Sequence, residues 1–238
     1  MPGFRPPPRM QAPQALLDRL ASVPGGSSGA RRLVLLFSQL GDFDSLEYAQ
    51  ALVSVLPQLE QAGVRLIAIG IGDQGSADRF CSYTGFPRAS LIVESNNRLH
   101  LRLGLYQGLQ TPGGPWLGLL LMCAGLGSPG TLAEVLRGYT GDRSAPQRFN
   151  QPFFRLAGGE GFQRPFELAS VRLQNMVEVL SRWRTYVPTD DFITQRGGTF
   201  LLEADDSLLY VHRDRGILGF SETMANPLRF LEPYLTCI

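Results

Sequence analysis

The stretch RLVLLFSQLGDFDSLEY, residues 32–48, passes from an apolar run (33–37) through a short polar turn (38–42) into a helix start. The run does not alternate with polar residues, which predicts a strand buried on both faces of a mostly parallel sheet. The helix start carries a capping signature. Asp44 is the expected N-cap, Glu47 three residues on completes a capping box, and Phe43 and Tyr48 stand where a hydrophobic staple would form. A strand that turns directly into a helix N-terminus is also where the helix dipole would stabilise a thiolate. Here the junction offers Ser38, Asp42, Asp44, Ser45 and Glu47, and no cysteine. A serine hydroxyl does not replace a thiolate at neutral pH without a paired base. The acids read as caps and dipole partners, and they would raise the pKa of any thiol placed among them.

Working outward, Ala49, Leu52, Leu56 and Leu59 mark a core-facing helical stripe. Pro57 should interrupt that helix near Val53, and Gly63 should end it. Residues 64–70 form a second buried run, giving a right-handed β-α-β unit. A helix over 75–83 follows, holding Cys81, then a strand over 90–94 and a short helix over 96–103. The buried, inert reading of Cys81 follows from the usual burial of free cysteine. Gly70, Gly72 and Gly75 match G-x-G-x-x-G, but the long βαβ context and downstream acid of a dinucleotide site are missing, so a short loop explains them.

Residues 116–126 (WLGLLLMCAGL) are the most hydrophobic segment. They fall short of the ~20 apolar residues of a membrane span. Core burial is the expectation, with a partner-facing or membrane-surface patch as the alternative. A helix capped by Ser128 or Thr131 should cover 128–139, and 140–164 should be an ordered loop. Pro165 suits the first position of a long helix whose core face is Phe166, Ala169, Leu173, Met176, Leu180 and Trp183. Arg143, Arg148, Arg155 and Arg164, interleaved with Phe153 and Phe154, suggest an anion or acidic-partner surface, against the plainer reading of a solvated face. Two apolar runs, 198–203 and 208–212, flank the acidic turn Asp205-Asp206 as a β-hairpin. A final helix is expected over 224–235. Residues 1–30 read as an extended proline-rich arm with one short helix over 14–21.

Bulk properties narrow the function. The formal net charge of +1 gives no field that would hold nucleic acid. All 22 basic residues are arginine, which removes any lysine Schiff base or P-loop lysine. Two histidines exclude a His-rich metal site. Three cysteines without CxxC spacing argue against a disulfide framework and for a reducing compartment. The N-terminus lacks the apolar core of a secretory signal. No cofactor or metal is expected.

Several segments together resemble the peroxiredoxin-like branch of the AhpC/TSA family. They are LVLLFSQLGDFDSLEYA, GVRLIAIGIG, RFCSYTGFP, RLHLRLGLYQG and QRGGTFLLEADDSLLYVHRD, in that order. CAGLGSPGTLAEVLRGYTGD and RPFELASVRLQNMVEVLSRWRTYVP look like a variant of the family found in cyanobacteria and plastids. The resemblance implies an α/β, thioredoxin-like fold: a central mixed sheet flanked by helices, with a large helical insertion before the C-terminal hairpin. It divides the chain into the arm 1–30 and one domain, 31–238, carrying the insertion 107–195. Active members keep a reactive cysteine in the segment aligned with residues 38–47, which this chain lacks. The expected function is therefore a non-catalytic binding or assembly module that meets a protein partner through the insertion. The alternative is a thiol-dependent antioxidant oxidoreductase using Cys81. The cytoplasm is the expected location, with attachment to a thylakoid surface as a variant of that reading.

Overall fold

β1 (Arg32–Gln39) is buried at every position and forms the centre of a five-stranded sheet ordered β3-β2-β1-β4-β5. The structure, a computed structural model, describes residues 10–23, 26–27, 29–141, 152, 156 and 164–235. The missing alternation in β1 has a direct cause. Leu33, Leu35 and Phe37 enter one apolar cluster, whereas Val34 and Leu36 enter another on the opposite face. β2 (Arg65–Ile71) and β3 (Leu91–Glu94) continue the sheet in parallel, with Leu33 opposite Leu66 and Ile69 opposite Ile92. On the other side β4 (Gly198–Leu202) and β5 (Leu208–Arg213) run antiparallel, with Val34 opposite Phe200 and Leu201 opposite Tyr210. This is the mixed, helix-flanked sheet expected of a thioredoxin-like α/β fold.

α2 (Phe43–Val53) and α3 (Leu56–Gln61) are separated where Pro57 was expected to interrupt the helix, and Gly63 closes the segment at a φ of +65°. α4 (Gln74–Thr84) begins at a full capping box: Ser76 N–H donates to Asp73 Oδ1 and Asp73 N–H to Ser76 Oγ, both at 2.8 Å. α1 (Gln14–Ala21) and α5 (Arg98–Arg102) cover the second face. Where an extended arm was expected, Leu16 and Leu20 are buried in that face and Gln11 bridges to Ser207. The last helix is far shorter than expected, a 3-10 turn (Arg229–Leu231) running into α10 (Glu232–Leu235).

The insertion departs most from expectation. It contains α6 (Gly114–Cys123), α7 (Thr131–Thr140), α8 (Arg164–Ser181) and the single turn α9 (Trp183–Tyr186). α6 is not a core helix: of its residues only Gly118 and Met122 are buried, and Leu120 is 64% exposed. α7 starts at Gly130 without a side-chain cap, because Ser128 and Thr131 hydroxyls bond each other and the Ile217 backbone. α8 is turned inside out. Glu167, Val171, Asn175, Glu178 and Val179 face the protein, while Phe166, Leu173, Val177 and Leu180 face solvent.

Buried polar partners explain the inversion. Arg172 Nε donates to Glu47 Oε2 at 2.9 Å and its guanidinium to the Glu134 carbonyl at 2.7 Å, tying α8 to α2 and α7. Gln50 and Asn175 exchange side-chain hydrogen bonds, and Glu178 accepts from Arg79 and from the Tyr186 hydroxyl. With those groups satisfied inside, the apolar stripe of α8 has nowhere to go but out.

Candidate functional site

The sheet changes direction at the C-terminal end of β1, where β2 leaves on one side and β4 on the other, the usual place for a site in an open α/β sheet. The predicted junction sits there, but its side chains have other work than capping. The N-cap of α2 is Asp42, and it makes no side-chain cap bond; Asp44 lies inside the helix and does not cap it. Asp44 Oδ2 accepts from the Leu218 backbone N–H at 2.6 Å and from Arg196 at 3.3 Å. Glu47, buried at 4% exposure, receives Arg172 and so closes no capping box.

Arg196, just before β4, is the organising cation. It is buried, lies 3.3 Å from both Asp42 Oδ1 and Asp44 Oδ2, and donates to the Thr194 and Ile193 carbonyls. A third carboxyl, Asp214, faces it from the end of β5. One guanidinium thus serves three acids. Burial holds the Asp44 carboxyl well above its usual range, with Asp42 adding to the effect and Arg196 opposing it. Burial pushes Asp214 up to about 8 despite Arg196. The junction is therefore not a place of negative potential alone, as the sequence suggested, but a cation shared among three acids, of which burial favours the protonated form in Asp44 and Asp214.

The serines belong to the same network. Ser38 Oγ donates to Asp42 Oδ2 at 2.6 Å, and Ser45 Oγ lies 3.3 Å from Ser38 Oγ. A small cavity of about 10 Å³, room for roughly one water, is lined by Ser38, Asp44, Ser45, Tyr48, Asp214 and Phe220. Asp44 Oδ1 and Asp214 Oδ1 accept no hydrogen bond there. No histidine activates either serine: His100 Nε2 bonds the Phe37 carbonyl and His212 Nε2 the Gly219 carbonyl, both at 2.8 Å. As chemistry, the arrangement can hold and exchange protons; it presents no activated nucleophile.

Cys81 is elsewhere, on α4, buried at 7% exposure in the core cluster that also holds Phe37 and Phe80. Burial pushes its thiol up to about 11, with Arg88 pulling the other way. Cys123 ends α6 and is exposed; burial raises its thiol too, while Arg196 opposes the rise. Native-state alkylation at about pH 8 should therefore label Cys123 and leave Cys81 unmodified until denaturant is added, as read by peptide mass spectrometry. Labelling of Cys81 at the rate of Cys123 would refute its inertness. Arg143, Arg148, Arg155, Phe153 and Phe154 lie outside the described residues, as does the side chain of Arg164, although its backbone opens α8. Cys237 lies outside them as well. Among the described residues no His, Cys, Asp and Glu group could hold a metal ion, and no helix is long and apolar enough to cross a membrane.

The family model for the AhpC/TSA antioxidant enzyme matches residues 51–216, from within α2 through β5 to Asp214 and beyond. The chain belongs to the AhpC/TSA family. No curated protein and no solved structure matches it. Within this AhpC/TSA chain the matched residues begin beyond the junction 38–47, and they include Arg196 and Asp214. Sequence reading missed those two residues for want of any local signal. Arg196 stands 154 residues from Asp42 and 152 from Asp44.

Proposed function

We propose that this AhpC/TSA-family chain has lost the peroxidatic cysteine of the family and acts as a non-catalytic module that binds a protein partner through its insertion. The observation that carries this reading is the outward apolar face of α6, α7 and α8. Of the fifteen large hydrophobic residues exposed among the described residues, thirteen fall between Trp116 and Leu180. Monomers rarely expose apolar patches beyond a few hundred Å², and larger ones mark interaction sites. From 103 to 133 the chain has no charged residue. Charge depletion with Trp, Tyr, Phe and Met is the composition of a protein–protein interface core, which supports a protein as the occupant. The bound state of the junction side chains and the burial of Cys81 support the absence of thiol catalysis.

Two measurements test the reading. Purified protein should turn over no peroxide with a thiol donor. Activity abolished by Cys81→Ser would overturn the non-catalytic reading and favour the oxidoreductase using Cys81. The double variant Leu173→Asp/Leu180→Asp should keep stability within about 0.5 kcal/mol, as solvent-facing changes do. It should also lose a native partner that the unaltered chain retains. Retention of that partner by the variant would remove the face from the account.

A further inference from the structure

Asp214 lines two spaces at once. Inward it borders the small cavity at the junction; outward it lies in a groove of about 590 Å³ with Leu101, Leu105, Tyr106, Arg213 and Arg215. A groove of that volume is of the size that receives a small organic ligand, about 300–1,000 Å³. Gly104 and Gly108, at φ of +69° and +80°, let the backbone after α5 turn twice along its rim.

The charge in the groove is uncompensated. Arg213 is exposed; its Nε donates to the Leu103 carbonyl at 3.3 Å and its guanidinium lies 5.6 Å from the Phe200 ring centroid. Arg215 is also exposed. Neither meets a carboxylate among the ion pairs of the described residues. Between them Asp214 is 8% exposed, and its Oδ1 accepts no hydrogen bond. His212 Nε2 stands 3.3 Å from that oxygen but is directed to the Gly219 carbonyl. The buried acid and the two outward cations form one strip at the end of β5, with apolar walls from Leu101 and Leu105.

We propose that this groove binds a small organic oxyanion, a carboxylate or phosphomonoester with an apolar body, held by Arg213 and Arg215 between the walls of Leu101 and Leu105. Forked guanidiniums suit planar oxyanions, and a neutral acid buried behind them does not repel the ligand. Burial pushes the Asp214 carboxyl up to about 8, so its neutral form dominates below that pH. It is faced by Arg196, by Asp42 on the β1–α2 turn, by Tyr48 on α2, and by His212 and Tyr210 on β5. Its ionisation places a negative charge under the anion, so affinity falls as pH rises past that value.

The test is calorimetric titration of the full chain with phenylacetate, phenyl phosphate and inorganic phosphate. At about pH 6.5 both aromatic anions should bind, and inorganic phosphate at least about tenfold more weakly. Arg215→Gln, at an exposed position, should weaken phenylacetate at least about fivefold, and Arg213→Gln likewise. Phenylacetate keeps one charge throughout, so its affinity should drop about tenfold between about pH 6.5 and 9.5 in the natural chain and stay level in Asp214→Asn. No binding, equal binding of all three anions, or affinity untouched by both arginine changes would each overturn the proposal.

Discussion

Replacing Arg196 by Met should destabilise the fold by about 3–5 kcal/mol, the usual cost of leaving buried charge without its partner. Asp42, Asp44 and Asp214 all lean on that guanidinium, and it also ties down the Thr194 and Ile193 carbonyls. Urea unfolding monitored by circular dichroism measures the change; a loss below about 1 kcal/mol would mean that the acids are already neutral or hydrated without it. The effect has a pH signature. In the unfolded chain each carboxyl returns to an ordinary value near 4. Folded Asp214 titrates at about 8 and Asp44 is raised as well. Between those limits the folded chain holds protons that the unfolded chain has released, so stability falls as pH rises from about 4 to about 8. The Arg196→Met loss should accordingly be smaller at about pH 5 than at pH 8, because protonated acids need no counter-charge. Asp214→Asn should flatten the decline in the natural chain.

Arg172→Ala should cost about 3 kcal/mol or more, because Glu47 is left charged, buried and unpaired. The loss is also local in character. Arg172 joins α8 to α2 through Glu47 and to α7 through the Glu134 carbonyl. Amide hydrogen exchange should therefore rise first over 131–140 and 164–181, ahead of β1 and β2. Arg172→Lys should recover only part of the stability, since one ammonium does not reproduce two diverging guanidinium bonds. Uniform exchange across the whole chain would show that the insertion and the sheet open as one unit. A stability loss below about 1 kcal/mol would show that Glu47 finds another partner.

Local patterns explain which expectations held. The 33–37 run, Pro57, Gly63 and the hairpin around Asp205-Asp206 act over a few residues, and the strands and breaks they predict are present. The capping box assigned to Asp44 and Glu47 failed for a different reason. Both acids match the local rule, but arginines more than a hundred residues away compete for them and win, because a charge inside the protein gains more from a full counter-charge than from a backbone dipole. Gly72-Asp73 carried the α4 capping box instead, with Ser76 as the reciprocal partner.

α8 shows the limit most clearly. Its heptad-like stripe of Phe166, Leu173 and Leu180 was read as core, yet those residues are 59%, 55% and 55% exposed. Periodicity identifies that a helix has two faces; it does not state which one the rest of the protein will satisfy. The sequence by itself determined the order of the strands and helices, the buried character of β1, the family, and the absence of cysteine at the first junction. Only the tertiary structure decided that Arg196 and Asp214 complete that junction and that the polar face of α8 turns inward. Each of those outcomes depends on hydrogen bonds and ion pairs between residues far apart in the chain, whose geometry no local pattern encodes.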